Sequence, residues 1–145
     1  MAYDFQVTVD CAEPHVLADW WAETLQWEVE PSNEAFIRSM VDQGFATEAE
    51  TAMHRGVLVW ATGAAIVQPP PADGASRRRV LFQSVPEAKS VKNRVHLDLR
   101  VGVDNVDAVV ESVLARGGRF LHNGQQGPHR WVTVTDPEGN EFCVG

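Results

Sequence analysis

The chain has 145 residues, 44% of them hydrophobic and 22% charged, which suits one globular domain with its own core and leaves no room for two ordinary ones. A net charge of −8 argues against a phosphate backbone as the main partner, so nucleic acid is not expected. No apolar run reaches the ~18 residues of a membrane span and the opening MAYD has no signal-peptide character, so no membrane partner is expected and the expectation is a soluble, cytoplasmic protein. Cys11 and Cys143 read as reduced structural thiols.

The charge is unevenly placed. Residues 1–50 hold eleven acids against the single base Arg38, a local charge of −10, while residues 77–100 hold seven bases against Glu87 and Asp98, a local charge of +5. Mutual neutralisation is the first expectation, and a basic rim that draws in an anionic ligand is the second.

In chain order, Tyr3 to Cys11 (YDFQVTVDC) alternates apolar Phe5, Val7 and Val9 with Gln6, Thr8 and Asp10, which predicts a strand with one polar face. Glu13-Pro14 opens a helix to about Gln26, with Leu17, Trp20, Trp21 and Leu25 on a core-facing stripe. Ser32 or Asn33 caps a second helix through Phe36, Ile37, Met40 and Val41 that Gly44 ends, and Thr47 with Glu50 forms a capping box for a short helix to about His54. GVLVW from Gly56, AAIVQ after Gly63 and RVLFQSV from Arg79 predict strands, the last two separated by the breaker Pro69-Pro70-Pro71-Ala-Asp-Gly.

The remaining third repeats the opening. RVHLDLRV (Arg94 to Val101) predicts a strand, Asp104 to Arg116 a helix stopped by Gly117-Gly118, and strands follow around Phe120-Leu121, Trp131 to Thr135 and Glu141 to Val144. With Gln6 set opposite His96, the apolar residues Phe5, Val7 and Val9 fall opposite Val95, Leu97 and Leu99, and Thr8 and Asp10 fall opposite Asp98 and Arg100. The expected fold is therefore α+β: two βαβββ repeats, about 1–86 and 93–145, forming a curled mixed sheet around a cleft, with a helical insert at 32–54 in the first repeat.

On the segments ADWWAETLQWEVE, RVLFQSVPEAKSVKNRVHLDL and VTVTDPEGNEFCV the chain resembles the vicinal oxygen chelate superfamily, which includes glyoxalase I, bleomycin resistance proteins, fosfomycin-modifying enzymes and extradiol dioxygenases, and in particular actinobacterial glyoxalase-like domains. The resemblance implies homodimers and, in metal-using members, one ligand from the first and last strand of each repeat. Carried onto this chain those positions are Gln6, Gln83, His96 and Glu141, for a divalent ion such as Ni, Zn, Mn or Fe. Two neutral amides beside one imidazole and one carboxylate predict weak metal binding.

The second-position Glu that serves as base in glyoxalases is missing, which leaves Asp10, Asp98 and Glu141 as the acids on the cavity face, with Glu141 and Asp98 the catalytic candidates and Asp98 the replacement base. Trp131, Trp60, Phe82 and Arg100 are the candidate ligand contacts; Trp131 shares a strand face with Thr133 and Thr135, where an indole can stack on a flat ligand. His54, His122 and His129 read as surface histidines, and Cys143 as a buried, inert thiol. The leading functional expectation is a glyoxalase-like protein that binds a small, partly apolar or aromatic molecule between the repeats, for sequestration or resistance. The alternative is a divalent-metal-dependent lyase, isomerase or dioxygenase.

Overall fold

A computed structural model describes residues 1–145 as two units, Met1–Pro86 and Glu87–Gly145. The first begins with strand β1 (Val7–Cys11) and helix α1 (Pro14–Leu25). Proline at its first turn suits a helix start, where the missing N–H has no partner to lose. Gln26 ends α1 in the left-handed conformation, its N–H turned back on the Ala22 and Glu23 carbonyls.

Strand β2 (Glu28–Val29) leads into an insert made of α2 (Glu34–Asp42), a single 3-10 turn at Glu48–Glu50, and a hairpin of β3 (Thr51–His54) and β4 (Val57–Trp60). Strands β5 (Gly63–Val67) and β6 (Arg79–Ser84) complete the unit. Its sheet runs β1-β6-β5-β2, with β1 parallel to β6 and the other pairs antiparallel; β3 and β4 pair only with each other. Alternate residues of this sheet face α1, and Val80, Phe82 and Ile66 are buried there against Leu17, Ala18, Trp20 and Trp21. Each such aliphatic or aromatic side chain contributes about 1.5–3 kcal/mol on burial.

The second unit repeats this plan without the insert. Strand β7 (Asp98–Leu99) is followed by a 3-10 turn, α3 (Val106–Ala115), β8 (Arg119–Gln126), β9 (His129–Thr135) and β10 (Glu141–Val144). The sheet order β7-β10-β9-β8, with β7 parallel to β10, is the order of the first unit element for element. Val113, Val134, Phe142 and Val144 are buried at the α3 face. The Asp136 carboxylate closes the turn before β10, accepting from the Glu138 and Asn140 backbone N–H groups and from the Asn140 amide. The duplicated α+β plan thus stands as the sequence pattern predicts.

Three local expectations are corrected. Residues 51–54 are a strand and not the end of a helix: the capping box of Thr47 and Glu50 forms, but it launches one 3-10 turn, after which Thr51–His54 pairs with Val57–Trp60. The first strand starts at Val7, leaving Tyr3 and Phe5 exposed. The strand expected over 94–101 is reduced to Asp98–Leu99, although the Cys143 N–H still bonds the Leu97 carbonyl and Val101 bonds Gly145. In both segments the alternation extends past the residues that find a neighbouring strand.

The opposite charges of the first unit do neutralise one another. Arg77 pairs with Glu28 at 2.6 Å and Arg79 with Glu30 at 2.7 Å, joining the start of β6 to β2 and the residue after it. No helix is long and apolar enough to cross a membrane.

Candidate functional site

The first unit holds a cavity of about 1040 Å³. Its floor includes Gly63, Ala65, Leu81 and Gln83 from β5 and β6, its rim Glu30 and Arg79, and its walls Ile37 of α2, Val57, Val59 and Trp60 of β4, and His15 and Asp19 of α1. The insert is therefore a wall of this cavity.

Two polar ties hold the hairpin to α1. The His15 Nε2 lies 2.7 Å from the Trp60 carbonyl oxygen. At the hairpin turn the Asp19 carboxylate takes the His54 Nε2 at 2.7 Å and the Arg55 Nε at 3.0 Å. Arg55 and Gly56 both have positive φ, 49° and 79°, the pair of left-handed residues a two-residue hairpin turn requires. Gly56 adopts this freely, whereas Arg55 gains its Asp19 contact in a conformation that side chains disfavour.

Of the residues picked out by sequence in this unit, Trp60 and Gln83 line the cavity. Phe82 does not: it is 1% exposed and sits opposite Val9 and Ala64 in the ladder, on the side that α1 covers. Gln83 pairs with Asp10, four steps along from Gln6. The cation beside Gln6 is Arg79, whose Nη1 donates to the Gln6 Oε1 at 2.8 Å while its Nε and Nη2 grip both Glu30 oxygens. That bidentate bond, helped by the guanidinium charge and opposed by burial, holds the Glu30 carboxyl below its ordinary value.

In the second unit one sheet face carries Asp98, Cys143, Glu141, Trp131 and Thr133, and His96 stands two residues before β7. His96 Nε2 lies 3.3 Å from Asp98 Oδ1, and donor atoms of His96, Asp98 and Cys143 lie within 4.8 Å of one another. The register explains the grouping, since Cys143 is the partner of Asp98 on β10 and of Thr133 on β9, with Thr133 Oγ1 3.4 Å from its sulfur. An imidazole, a carboxylate and a thiolate together could hold a borderline divalent ion.

Glu141, two residues before Cys143, is engaged elsewhere. Its oxygens accept from the Lys89 ammonium and the Asn93 backbone N–H, each at 3.0 Å. Burial raises its pKa, but these bonds outweigh that effect and leave the carboxyl below its ordinary value. Trp131 is half-buried with its indole over Gly124, where a Cβ would overlap the ring, and it lies 5.7 Å from the His129 ring. Arg100 is exposed just beyond β7.

Sequence reasoning passed over His15 and took His54 for a surface residue, although His54 meets Asp19 from 35 residues away. The i, i+4 spacing of His15 and Asp19 on one helix face was the available signal.

A family model described as a glyoxalase-like domain matches residues 6–145. The chain belongs to that glyoxalase-like family. No curated protein matches it. Among solved structures, this glyoxalase-like chain is similar to a mutant of the fosfomycin resistance protein FosX from Listeria monocytogenes, complexed with Mn(II) and 1S,2S-dihydroxypropylphosphonic acid. The identity is 11%, the TM-score 0.64, and the match covers 99% of this chain and 91% of that one. It is also similar to a hypothetical protein from S. aureus, at 13% identity, a TM-score of 0.60, and 99% and 96% coverage. A third similar structure is a glyoxylase/bleomycin resistance protein/dioxygenase domain from Frankia sp. EAN1pec, at 11% identity, a TM-score of 0.58, and 99% and 96% coverage. At these identities the likeness carries the fold.

Proposed function

We propose that this glyoxalase-like protein binds a small, partly apolar molecule in the cavity of its first unit. The observation that carries the reading is the cavity itself, roomy enough for a drug-sized ligand and lined by Ile37, Val57, Val59, Trp60 and Leu81 with polar groups at its margin. The indole of Trp60 supplies a flat apolar surface for an aromatic ring. Sequestration of a toxic molecule is the finer form of the proposal, in keeping with a family that includes resistance proteins. Titration calorimetry against a panel of aromatic metabolites, with and without chelator, tests it. Saturable binding that survives chelator and weakens at least about tenfold in Trp60→Ala supports the reading; no saturable ligand across the panel overturns it.

A second reading, a divalent-metal-dependent lyase, isomerase or dioxygenase, is supported by the His96, Asp98 and Cys143 cluster. A bound ion would supply Lewis acidity there, while Asp98 and Cys143 contribute negative charge and His96 a neutral donor. Both Glu141 oxygens and the Gln6 oxygen already accept hydrogen bonds, so the four-ligand set implied by resemblance would have to surrender them. Elemental analysis decides it: about one metal ion per chain, lost in His96→Ala, supports the enzyme, and a chain that ignores added nickel, zinc, manganese and iron removes it. Pairing as a homodimer belongs to the same proposal and is checked by sedimentation.

A further inference from the structure

The one place where two imidazoles meet is the wall of the first unit's cavity. The His15 and His54 rings lie 5.1 Å apart between centroids and are tilted by 32°. Two imidazoles sharing one tetrahedral ion, with nitrogen about 2.1 Å from the metal, hold their centroids about 5 Å apart. At 5.1 Å the two rings are near enough to share one ion.

The hydrogen bonds fix which nitrogen of each ring is available. A carbonyl oxygen only accepts, so the His15 Nε2 facing Trp60 donates its N–H; the Asp19 carboxylate likewise requires a donor at the His54 Nε2. In the neutral state both protons therefore sit on Nε2, and both Nδ1 atoms keep a bare lone pair. Neither Nδ1 has a protein partner. A carboxylate or a backbone carbonyl that accepts from the far ring nitrogen is the usual outer support of a metal-ligating histidine. Here both kinds of support occur side by side, one from the hairpin to α1 and one from α1 to the hairpin.

We propose that His15 and His54 form a binding site for a borderline divalent transition-metal ion, Zn²⁺, Ni²⁺ or Cu²⁺, on the cavity wall, with Asp19 and the Trp60 carbonyl as outer supports. Two protein ligands leave the remaining positions to water or to a small molecule in the cavity. Imidazole donors favour these ions over Mg²⁺ and Ca²⁺, which prefer oxygen. The charged groups around the cavity are Asp19 and Glu30 against Arg55 and Arg79, which balance, so the affinity expected is modest. The site does not depend on which molecule fills the cavity, and it shares no residue with the His96 cluster.

The test uses the full chain carrying His96→Ala, which removes the strand-face cluster. Calorimetry with Zn²⁺ or Ni²⁺ alone, and electron paramagnetic resonance with Cu²⁺ alone, should show about one ion per chain with two coupled nitrogens. His15→Gln or His54→Gln should weaken binding at least about tenfold and leave one nitrogen, and Asp19→Asn should weaken it about 10- to 100-fold. Should a variant fail to fold, addition of Zn²⁺ to the wild-type chain must still shift the His15 and His54 imidazole resonances. Unchanged affinity in both folded histidine variants, unmoved resonances, or no binding up to millimolar metal overturns the proposal.

Discussion

The two units put opposite charges at the equivalent step of two sheets with the same strand order. Beside Gln6 the last strand of the first unit carries Arg79; in the second unit the β7–β10 register, carried two residues back, sets Glu141 beside His96. Arg79 is tied to Glu30 in a half-exposed pair, whereas Glu141 is tied to Lys89 and Asn93 and is largely buried. A shared strand order thus fixes where a side chain stands and leaves its chemistry free. The insert widens the difference, since only the first unit walls a cavity with one.

The largest expected effect probes what the two sheets have in common. Phe82→Ala and Phe142→Ala, one in each α-facing core, should each cost about 3–5 kcal/mol in chemical denaturation. A Phe82→Ala chain that keeps its stability and loses ligand binding would return Phe82 to the cavity and undo the assignment of faces.

Next comes the charge contrast itself. Glu141→Ala strands the poorly exposed Lys89 and should cost about 3 kcal/mol, while Arg79→Ala, in a pair more than a third exposed, should cost less than about 1 kcal/mol. Glu141 has a folded pKa below its ordinary 4.5, so its contribution is present above that value and is lost as pH falls through the folded pKa. Glu30 follows the same sign, with a smaller amplitude because of its exposure. Acid titrations of stability should therefore flatten more in Glu141→Gln than in Glu30→Gln; the reverse order would break the comparison.

Gly124→Ala should cost about 1–3 kcal/mol and shift tryptophan emission, because the added methyl group must displace the Trp131 indole. The smallest change is Asn33→Ala. It removes the side chain that accepts the Phe36 N–H at 3.0 Å and should cost about 1 kcal/mol, seen as a modest drop in melting temperature. That loss should fall on the insert and leave metal binding at the His96 cluster of the second unit unmoved.

The duplication was legible because it is written in periodicity: the strand alternations and the stripe of Leu17, Trp20 and Trp21 survive without any knowledge of neighbours. The β3 strand was not, since Thr47 and Glu50 form a real capping box and Ala52, Met53 and His54 suit a helix; pairing with Val57–Trp60 overrides that preference. Nor could alternation tell where β1 and β7 stop pairing. At the site level, His96, Glu141 and Trp60 were visible as residues, but their partners were not. Arg79 replaced Gln83 beside Gln6 because the parallel register decides that neighbour, and the His15, Asp19 and His54 cluster depends on a contact across 35 residues.

The hairpin between β3 and β4 is pinned to α1 at His54 and again at Trp60, six positions later, and the anchoring residues His15 and Asp19 are one helical turn apart. This makes the hairpin a gauge of fixed length. A residue gained or lost within 55–59 would put one anchor out of reach, while the stretch between α2 and the 3-10 turn has no such constraint. Length variation among descendants of this chain should accordingly collect at 43–46, and the cavity can be resized from there without detaching its wall.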